Sequence, residues 1–302
     1  MAESLDISIV ILNYNSIGFL EKALASIERS DLQGLKIEIV VVDNASKDDS
    51  IKVIQEKYPE VRLIVSETNR GFAAGNNLAR KEVKGKYLLF LNPDTEINPD
   101  TLYKVYGFME NHEDVGVASS RLVLANGDLD YSSHRGFPTP LNAFFYFFTP
   151  LARLFPRTKM FTGYTQGWKL SDPNPHEVDS ISGAFFFVRK KAADEVGWWD
   201  EDYFWYGEDL EFCFNLKEKG WRVMFLSDVS TLHHKGVTSG IKGHSKSISS
   251  ATRETKLRST LASTQVMRIF YRKHYEKKYP RVVSFIVLTG ISLLEKTRTA
   301  FI

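Results

Sequence analysis

Several short stretches of this chain hold residue types whose spacing could do chemistry. Residues 88–97 read LLFLNPDTEI, an apolar run that looks like a buried strand and stops at Asn92-Pro93-Asp94, where the chain must leave the sheet. Asp94 is either a turn residue or a ligand; hard divalent cations favour such oxygen donors, taking one or two carboxylates while phosphates and water supply the rest. FWYGEDLEF sets the acids Glu208 and Asp209 at the start of a helical pattern, just after Trp205 and Tyr206. Acids there can accept a proton beside an apolar wall, or merely compensate the helix dipole. NRGFAAGNN offers Asn69, Arg70 and Gly71, where a glycine lets backbone approach a ligand, followed by Asn76 or Asn77 opening a helix whose amides favour anions. His233 and His234, in LHHKGVTSG, are metal contacts or structural histidines.

The elements that must position these groups alternate along the first hundred residues. ISIVILNYN (7–15) and IEIVVVDNAS (38–46) are short β-branched runs, whereas FLEKALASIERS (19–30) and DDSIKVIQEKY (48–58) have helical spacing. VRLIVSETN (61–69) and KYLLFLNPD (86–94) add two strands, with AAGNNLARKEV (73–83) as a helix between them. The order β-α-β-α-β-α-β predicts an α/β fold on a parallel sheet, whose ligand crevice lies outside the carboxyl ends of the strands. Asn13 to Asn15, Asp43-Asn44, Asn69 to Gly71 and Asn92 to Asp94 all fall at such ends. Four polar turns on one edge predict a site, although each alone is ordinary turn composition.

Farther along, a helix (TLYKVYGFMEN) precedes a strand at 115–123 and a turn at Asn126-Gly127. Residues 131–178 are aromatic, Pro-rich and aperiodic, fitting a lid, an acceptor-binding loop or a membrane-touching patch. SISGAFFFVRKKAADEV reads as strand then helix, and VMFLS as a strand. RIFYRKHYEKKYPR (268–281) joins cations to aromatics ahead of the apolar VVSFIVLTGISLL (282–294). The latter is too short to span a bilayer; it fits a helix lying on a membrane surface, or one packed on the protein's own core.

Composition narrows the classes. The 302 residues are 43% hydrophobic and 25% charged, and 39 basic against 37 acidic residues leave a net charge of +2, without the strong positive field of a dedicated nucleic-acid binder. A single cysteine, Cys213, excludes a disulfide framework; with no zinc-site spacing, a reducing compartment is the default. The acidic start, MAESLDISIVILNYN, does not read as a signal peptide.

The succession VILNYN, VVVDNASKDDS, NRGFAAGNN, FLNPD, SGAFFFVRK and YGEDLEF resembles family 2 glycosyltransferases of the GT-A fold, closest to the bacterial rhamnosyltransferases of cell-surface polysaccharide, over roughly residues 7–240. GxGxxG is absent after the first strand, which disfavours a Rossmann dehydrogenase. The resemblance implies a Rossmann-like, mostly parallel sheet flanked by helices in one catalytic domain, residues 1–265, with a nucleotide-sugar half to about 110 and an acceptor half beyond it; the basic and apolar composition that follows predicts a helical membrane-associating tail at 266–302.

What the resemblance implies for the site follows residue by residue. Asp43 meets the nucleotide base, or else caps the next helix; Asn13, Tyr14 and Asn15 line the same pocket, and Asn69, Arg70, Gly71, Asn76 and Asn92 complete the donor side. Asp94 stands for the last carboxylate of the family's DxD motif and holds Mg²⁺ or Mn²⁺, with His233 contacting the metal or the diphosphate. Asn92 replaces the first acid, which lowers the site's charge, so the cation is expected to bind together with the sugar nucleotide. Asp209 is the general base beside Glu208, and Gly183, Trp205 and Tyr206 face the acceptor, the two aromatics suited to stacking on a sugar ring. The implied reaction is inverting transfer, with dTDP-L-rhamnose the favoured donor and a hydroxyl of a lipid-linked glycan the acceptor, on the cytoplasmic face of the inner membrane. A sugar-phosphate nucleotidyltransferase is disfavoured because VILNYNSIGF lacks its glycine- and lysine-containing first loop. A noncatalytic glycan-binding relative is disfavoured because the acid pair is present.

Overall fold

The computed structural model describes residues 5–234 and 253–300. Its amino-terminal half follows the expected alternation: β1 (Ile7–Asn13), α1 (Ile17–Glu28), β2 (Ile37–Asp43), α2 (Ser50–Lys57), β3 (Arg62–Val65), α3 (Gly71–Asn77) and β4 (Tyr87–Leu91). After a tight turn come β5 (Thr95–Ile97), α4 (Thr101–Glu110) and β6 (Val115–Leu124). The second half contributes α5 (Pro140–Phe148), α6 (Leu151–Leu154), β7 (His176–Glu177), β8 (Phe185–Arg189), α7 (Lys190–Val196), α8 (Glu208–Glu218) and β9 (Arg222–His233). Two long helices close the described chain, α9 (Arg253–His274) and α10 (Arg281–Ala300).

One sheet runs in the order β3-β2-β1-β4-β8-β6-β9-β5, with β7 paired to β9. The parallel arrangement expected from the sequence holds across β3, β2, β1 and β4. Beyond β4 the sheet is mixed: β8 is antiparallel to both β4 and β6, β6 is parallel to β9, and β9 is antiparallel to β5. The central strands β1, β4 and β8 are buried on both faces, as their near-continuous apolar runs require. Ile7, Ile9, Ile11, Leu89 and Leu91 pack on one side with α1 and α4, while Val10, Val40, Val42, Leu88 and Phe90 pack on the other with Trp198, Trp199 and Phe212.

Two expectations are corrected. The helix read at 73–83 is α3, which begins earlier at Gly71 and gives way to a 3-10 turn at Leu78–Lys81. Asn76 and Asn77 therefore close this helix rather than open it. Residues 131–178 are not wholly aperiodic, since Pro140 at the first helical position, behind the capping hydroxyl of Thr139, starts α5. The boundary drawn at 265/266 falls inside α9, a continuous helix whose Phe270, Tyr271 and Tyr275 form a core with Leu210 and Phe214 of α8. The first part of the tail is thus structural, and a bond between the ring Nε2 of His274 and Glu211 Oε2 (2.7 Å) locks it to α8. Among the described residues no helix is long and apolar enough to cross a membrane.

Candidate active site

The carboxyl ends of β1, β2 and β3 meet on one edge, as expected, and their polar side chains bond chiefly to one another. Asn13 Nδ2 donates to Asp43 Oδ2 (3.0 Å) and to Ser46 Oγ (3.1 Å), while Ser16 Oγ donates to Asn13 Oδ1 (2.7 Å). Asp43 Oδ1 accepts the Ser46 amide at 2.9 Å, so this carboxylate shapes its own turn; it does not cap α2, whose preceding turn is made by Asp48. Asn44 ties this edge to the next loop, donating to Asn69 Oδ1 and the Gly71 carbonyl and accepting the Arg70 amide. Asn13, Asp43, Gly71 and Asn76 are buried, and Asn76 Nδ2 donates to the Phe72 carbonyl, so it braces α3. Tyr14, Asn15, Asn69 and Arg70 are exposed on the same edge.

Gly71 is required at its place. Its φ is +77°, and a Cβ there would lie 2.3 Å from the Phe204 carbonyl oxygen. That close approach, with the Phe72 amide donating to the same carbonyl at 2.9 Å, seams this polar edge to the loop that carries Trp205 and Tyr206. These two aromatics stack on each other at 5.3 Å.

The stretch LLFLNPDTEI resolves as strand, turn, strand. The Thr95 amide donates to the Asn92 carbonyl at 3.1 Å, closing a β-turn over Pro93, whose fixed φ suits the second position. Thr95 then pairs with His233 in the antiparallel β5–β9 ladder, and this register brings Asp94 to His233, with Oδ1 3.4 Å from Nε2. The other ring nitrogen of His233, Nδ1, contacts Asp130 Oδ2 at 2.9 Å. Asp130 arrives beside His233 because the chain reverses at Asn126-Gly127 and returns along β6, with the Asp130 amide donating to the Leu122 carbonyl. Burial by itself would raise Asp94 and lower His233; the mutual attraction outweighs it, holding Asp94 below the usual carboxylate range and pushing His233, which also faces Asp130, up to about 9. His234 turns away, its Nε2 bonded to Glu96 Oε1 at 2.7 Å. Gly236, the glycine after these histidines, lies outside the described residues.

The acid pair opens α8 in a buried setting. Asp209 Oδ2 accepts from Arg135 Nη2 (2.7 Å) and from the Gly183 amide (3.2 Å). Glu208 Oε2 is buried and lacks a hydrogen-bond partner among the described residues; desolvation and the neighbouring Asp209 charge push this carboxyl up to about 8. The two acids are thus split by environment: Asp209 is paired with a guanidinium, whereas Glu208 is kept neutral at pH 7. Leu210, Phe212 and Phe214 pack inward as their spacing predicts, and Cys213 is a buried core residue whose thiol burial pushes up to about 12. Gly207 leaves room for the tail, since a Cβ there would sit 2.2 Å from Val266 Cγ1.

Between these groups lies a cavity of about 560 Å³ lined by Asp128, Asp130, Tyr131, Arg135, Tyr146 and Tyr164 among others. Asp130 joins it to the Asp94–His233 pair, and Arg135 joins it to Asp209. Neither residue stood out in the sequence; an Asp three residues beyond a turn and an Arg in an aromatic stretch carry no signal until the fold seats them.

The model for glycosyl transferase family 2 matches residues 8–171, more than half of the chain. The protein is a family 2 glycosyltransferase. It is 26% identical over 243 residues to an N-acetylglucosaminyl-diphospho-decaprenol L-rhamnosyltransferase of Mycobacterium tuberculosis, covering 77% of each chain. It is also 25% identical over 236 residues to the low-salt glycan biosynthesis hexosyltransferase Agl10 of Haloferax volcanii, covering 77% of this chain and 68% of that one. Among solved structures, TarS from S. aureus superposes with a TM-score of 0.57 at 18% identity, over 98% of this glycosyltransferase and 54% of TarS. GalNAc-T7, in a complex with UDP, GalNAc and Mn²⁺, superposes with a TM-score of 0.57 at 15% identity, over 77% of this chain and 44% of its own. The chain thus spans about half the length of those two structures, and they establish its fold as GT-A.

Among the described residues no group of three or more His, Cys, Asp or Glu side chains is arranged to hold a metal ion by itself. The residues fit a divalent cation only in part: Asp94 would supply oxygen, His233 could supply Nε2 only in its neutral form, and Asp130 holds the far side of the ring as ligand histidines commonly require. The remaining positions would fall to phosphate oxygens and water.

Proposed function

We propose that this glycosyltransferase moves a sugar from a nucleotide diphosphate to a hydroxyl of a lipid-linked glycan, inverting the anomeric centre, in the synthesis of a cell-surface polysaccharide. L-rhamnose from dTDP-rhamnose is the favoured donor, supported by the mycobacterial relative, and the polyprenyl diphosphate carrier in that relative's name supports the acceptor class. The observation that carries this reading is the cavity wall, on which Asp130 is tied to the Asp94–His233 pair and Arg135 is tied to Asp209. One side of the cavity leads to a cation-binding carboxylate and the other to a candidate base, the two functions that a single displacement needs.

In this mechanism Asp209 takes the proton of the acceptor hydroxyl as it attacks. Arg135, with the Gly183 amide, fixes the orientation of that carboxylate. Glu208, protonated, adds no second negative charge beside the entering oxygen. A cation held by Asp94 and His233 would neutralise charge on the departing diphosphate. Asn92, being neutral, leaves that cation dependent on the donor for much of its affinity. Tyr14, Asn15, Asn69 and Arg70 form the exposed donor edge over the brace made by Asn13, Asp43, Gly71 and Asn76, and Trp205 and Tyr206 face the acceptor. The tail would keep the enzyme peripheral on the cytoplasmic membrane face.

A panel of nucleotide sugars with product detection, with and without EDTA, on wild type, Asp94→Ala and Asp209→Asn tests this. Transfer from one donor, abolished by EDTA and by Asp94→Ala, is the expected result. Consumption of no nucleotide sugar with any lipid-linked or synthetic acceptor would overturn the enzymatic reading, and undiminished turnover in Asp209→Asn would remove the base assignment alone.

A further inference from the structure

Between Asp130 and Asp172 the chain contains no acidic residue. Within that stretch α5 and the segment after it expose Leu141, Phe144, Phe148, Leu154, Phe155 and Met160, each between 47% and 65% accessible, interleaved with the exposed cations Arg153, Arg157 and Lys159. A soluble surface helix places apolar residues inward, and α5 does so with Phe145, which packs on Phe161, yet its opposite side carries Leu141, Phe144 and Phe148 at i, i+3 and i+7.

The outer side of α10 has the same character. Val282, Phe285, Ile286 and Leu293 are 57% to 72% exposed along one stripe, while Ser284 and Ile291 face the protein. No acid occurs from Arg281 to Leu294, and exposed Lys277, Lys278 and Arg281 precede the stripe, against Glu276 alone. The two helices touch: Phe148 Cζ would lie 3.4 Å from a Cβ on Gly290, and the Arg298 guanidinium sits 5.6 Å from the Phe147 ring. Elements from opposite ends of the sequence therefore present adjoining apolar surface with cations around it.

We propose that α5, the 153–160 segment and α10 form one composite docking face for an anionic bilayer surface, deepening the peripheral-membrane reading that began with the tail alone. Aromatic and aliphatic tips enter the headgroup boundary while Arg and Lys meet anionic headgroups. Charge selects this occupant over a second copy of the chain, because a self-paired face would set the same cations against each other. The face is also coupled to the site. Tyr146, on the side of α5 away from Phe144 and Phe148, lines the cavity with Tyr164 and Arg135. Docking α5 thus holds the cavity wall at headgroup level, where a lipid-borne acceptor presents its glycan. That last step rests on the proposed acceptor; vesicle binding does not.

The test is flotation of the full chain with phosphatidylcholine vesicles with or without phosphatidylglycerol, for wild type, Phe144→Ser/Phe148→Ser, Phe285→Ser/Ile286→Ser and Arg153→Glu/Arg157→Glu. Wild type should float with the anionic vesicles only and release at high salt, and each variant should lose about tenfold or more of its partition. The charge variant, on an exposed segment, guards against misfolding of the aromatic ones, and all should keep transfer to a soluble acceptor while losing it to a vesicle-borne one. Wild-type partition of the α5 and charge variants would overturn the composite face, as would a concentration-dependent dimer that buries these residues instead. Absence of transfer to either acceptor, with flotation intact, would sink the glycan-acceptor reading and leave the docking face standing.

Discussion

At the donor edge, Asn13, Asp43, Ser46, Asn44 and Asn69 spend their polar atoms on each other, whereas across the cavity each reactive group meets a partner from a distant part of the chain. Asp94 faces His233, His233 faces Asp130, and Asp209 faces Arg135. The first region is a rigid frame made by neighbouring parallel strand ends. The second is a set of charged pairs held in a low-dielectric wall, where removing one partner leaves the other buried and alone. Substitutions on the two sides should therefore fail differently, in folding alone on the donor edge and in chemistry as well as folding across the cavity.

The widest separation should come from Asp209→Asn, which keeps shape and removes the proposed base. We expect kcat to fall by about 10²–10⁴-fold, together with a lower melting temperature because Arg135 stays buried without its counter-charge. A variant that loses stability in place of kcat would put Asp209 with the frame. Asp130→Asn should come next, lowering apparent cation affinity by about 10–100-fold through the orientation of His233, with turnover partly restored at high Mn²⁺. A metal titration of initial rates reads this directly, and a loss that excess cation does not touch would make Asp130 merely structural.

Gly71→Ala addresses the seam between the two regions. With φ at +77° and the Phe204 carbonyl in the way, it should cost about 1–3 kcal/mol of stability and raise the donor KM. Chemical denaturation of the variant checks it, and unchanged stability would mean that the 204 loop yields without cost.

The smallest expected effect concerns Glu208→Gln and pH. With Glu208 raised from 4.5 to about 8, the fold holds a proton that the unfolded chain has released, so wild-type stability declines as pH rises from about 4.5 to 8 and levels off above. The variant lacks that decline, so its melting temperature should gain on wild type between pH 5 and pH 8. A difference that stays constant with pH would show that Glu208 is ionised in the fold.

Legibility in the sequence followed the same division. The strand ends at Asn13, Asp43 and Asp94 were readable because parallel βα units place every carboxyl end on one edge, so local runs and turn residues sufficed. The acid pair at the head of α8 was readable from the glycine before it and the packing residues after it. The helix at 73–83 was misplaced because nothing local reveals that Gly71 takes a left-handed φ against Phe204. Asp130 and Arg135 were invisible because their partners lie about a hundred and 74 residues away. The tail was half legible: its basic-aromatic composition marked a surface element, but its packing on Leu210 and Phe214 depended on a face of α8 that only the folded chain presents.

The sequence by itself determined the alternation of strands and helices, the polar edge and the family, because these are local patterns repeated in a fixed order. Tertiary structure alone decided which carboxylate meets a guanidinium, which histidine faces Asp94, and that an aromatic helix near the middle of the chain adjoins the last one. Those outcomes depend on strand register and burial: β5 against β9 set Thr95 opposite His233, and the same enclosure left Glu208 Oε2 without a hydrogen-bond partner among the described residues while giving Asp209 a guanidinium.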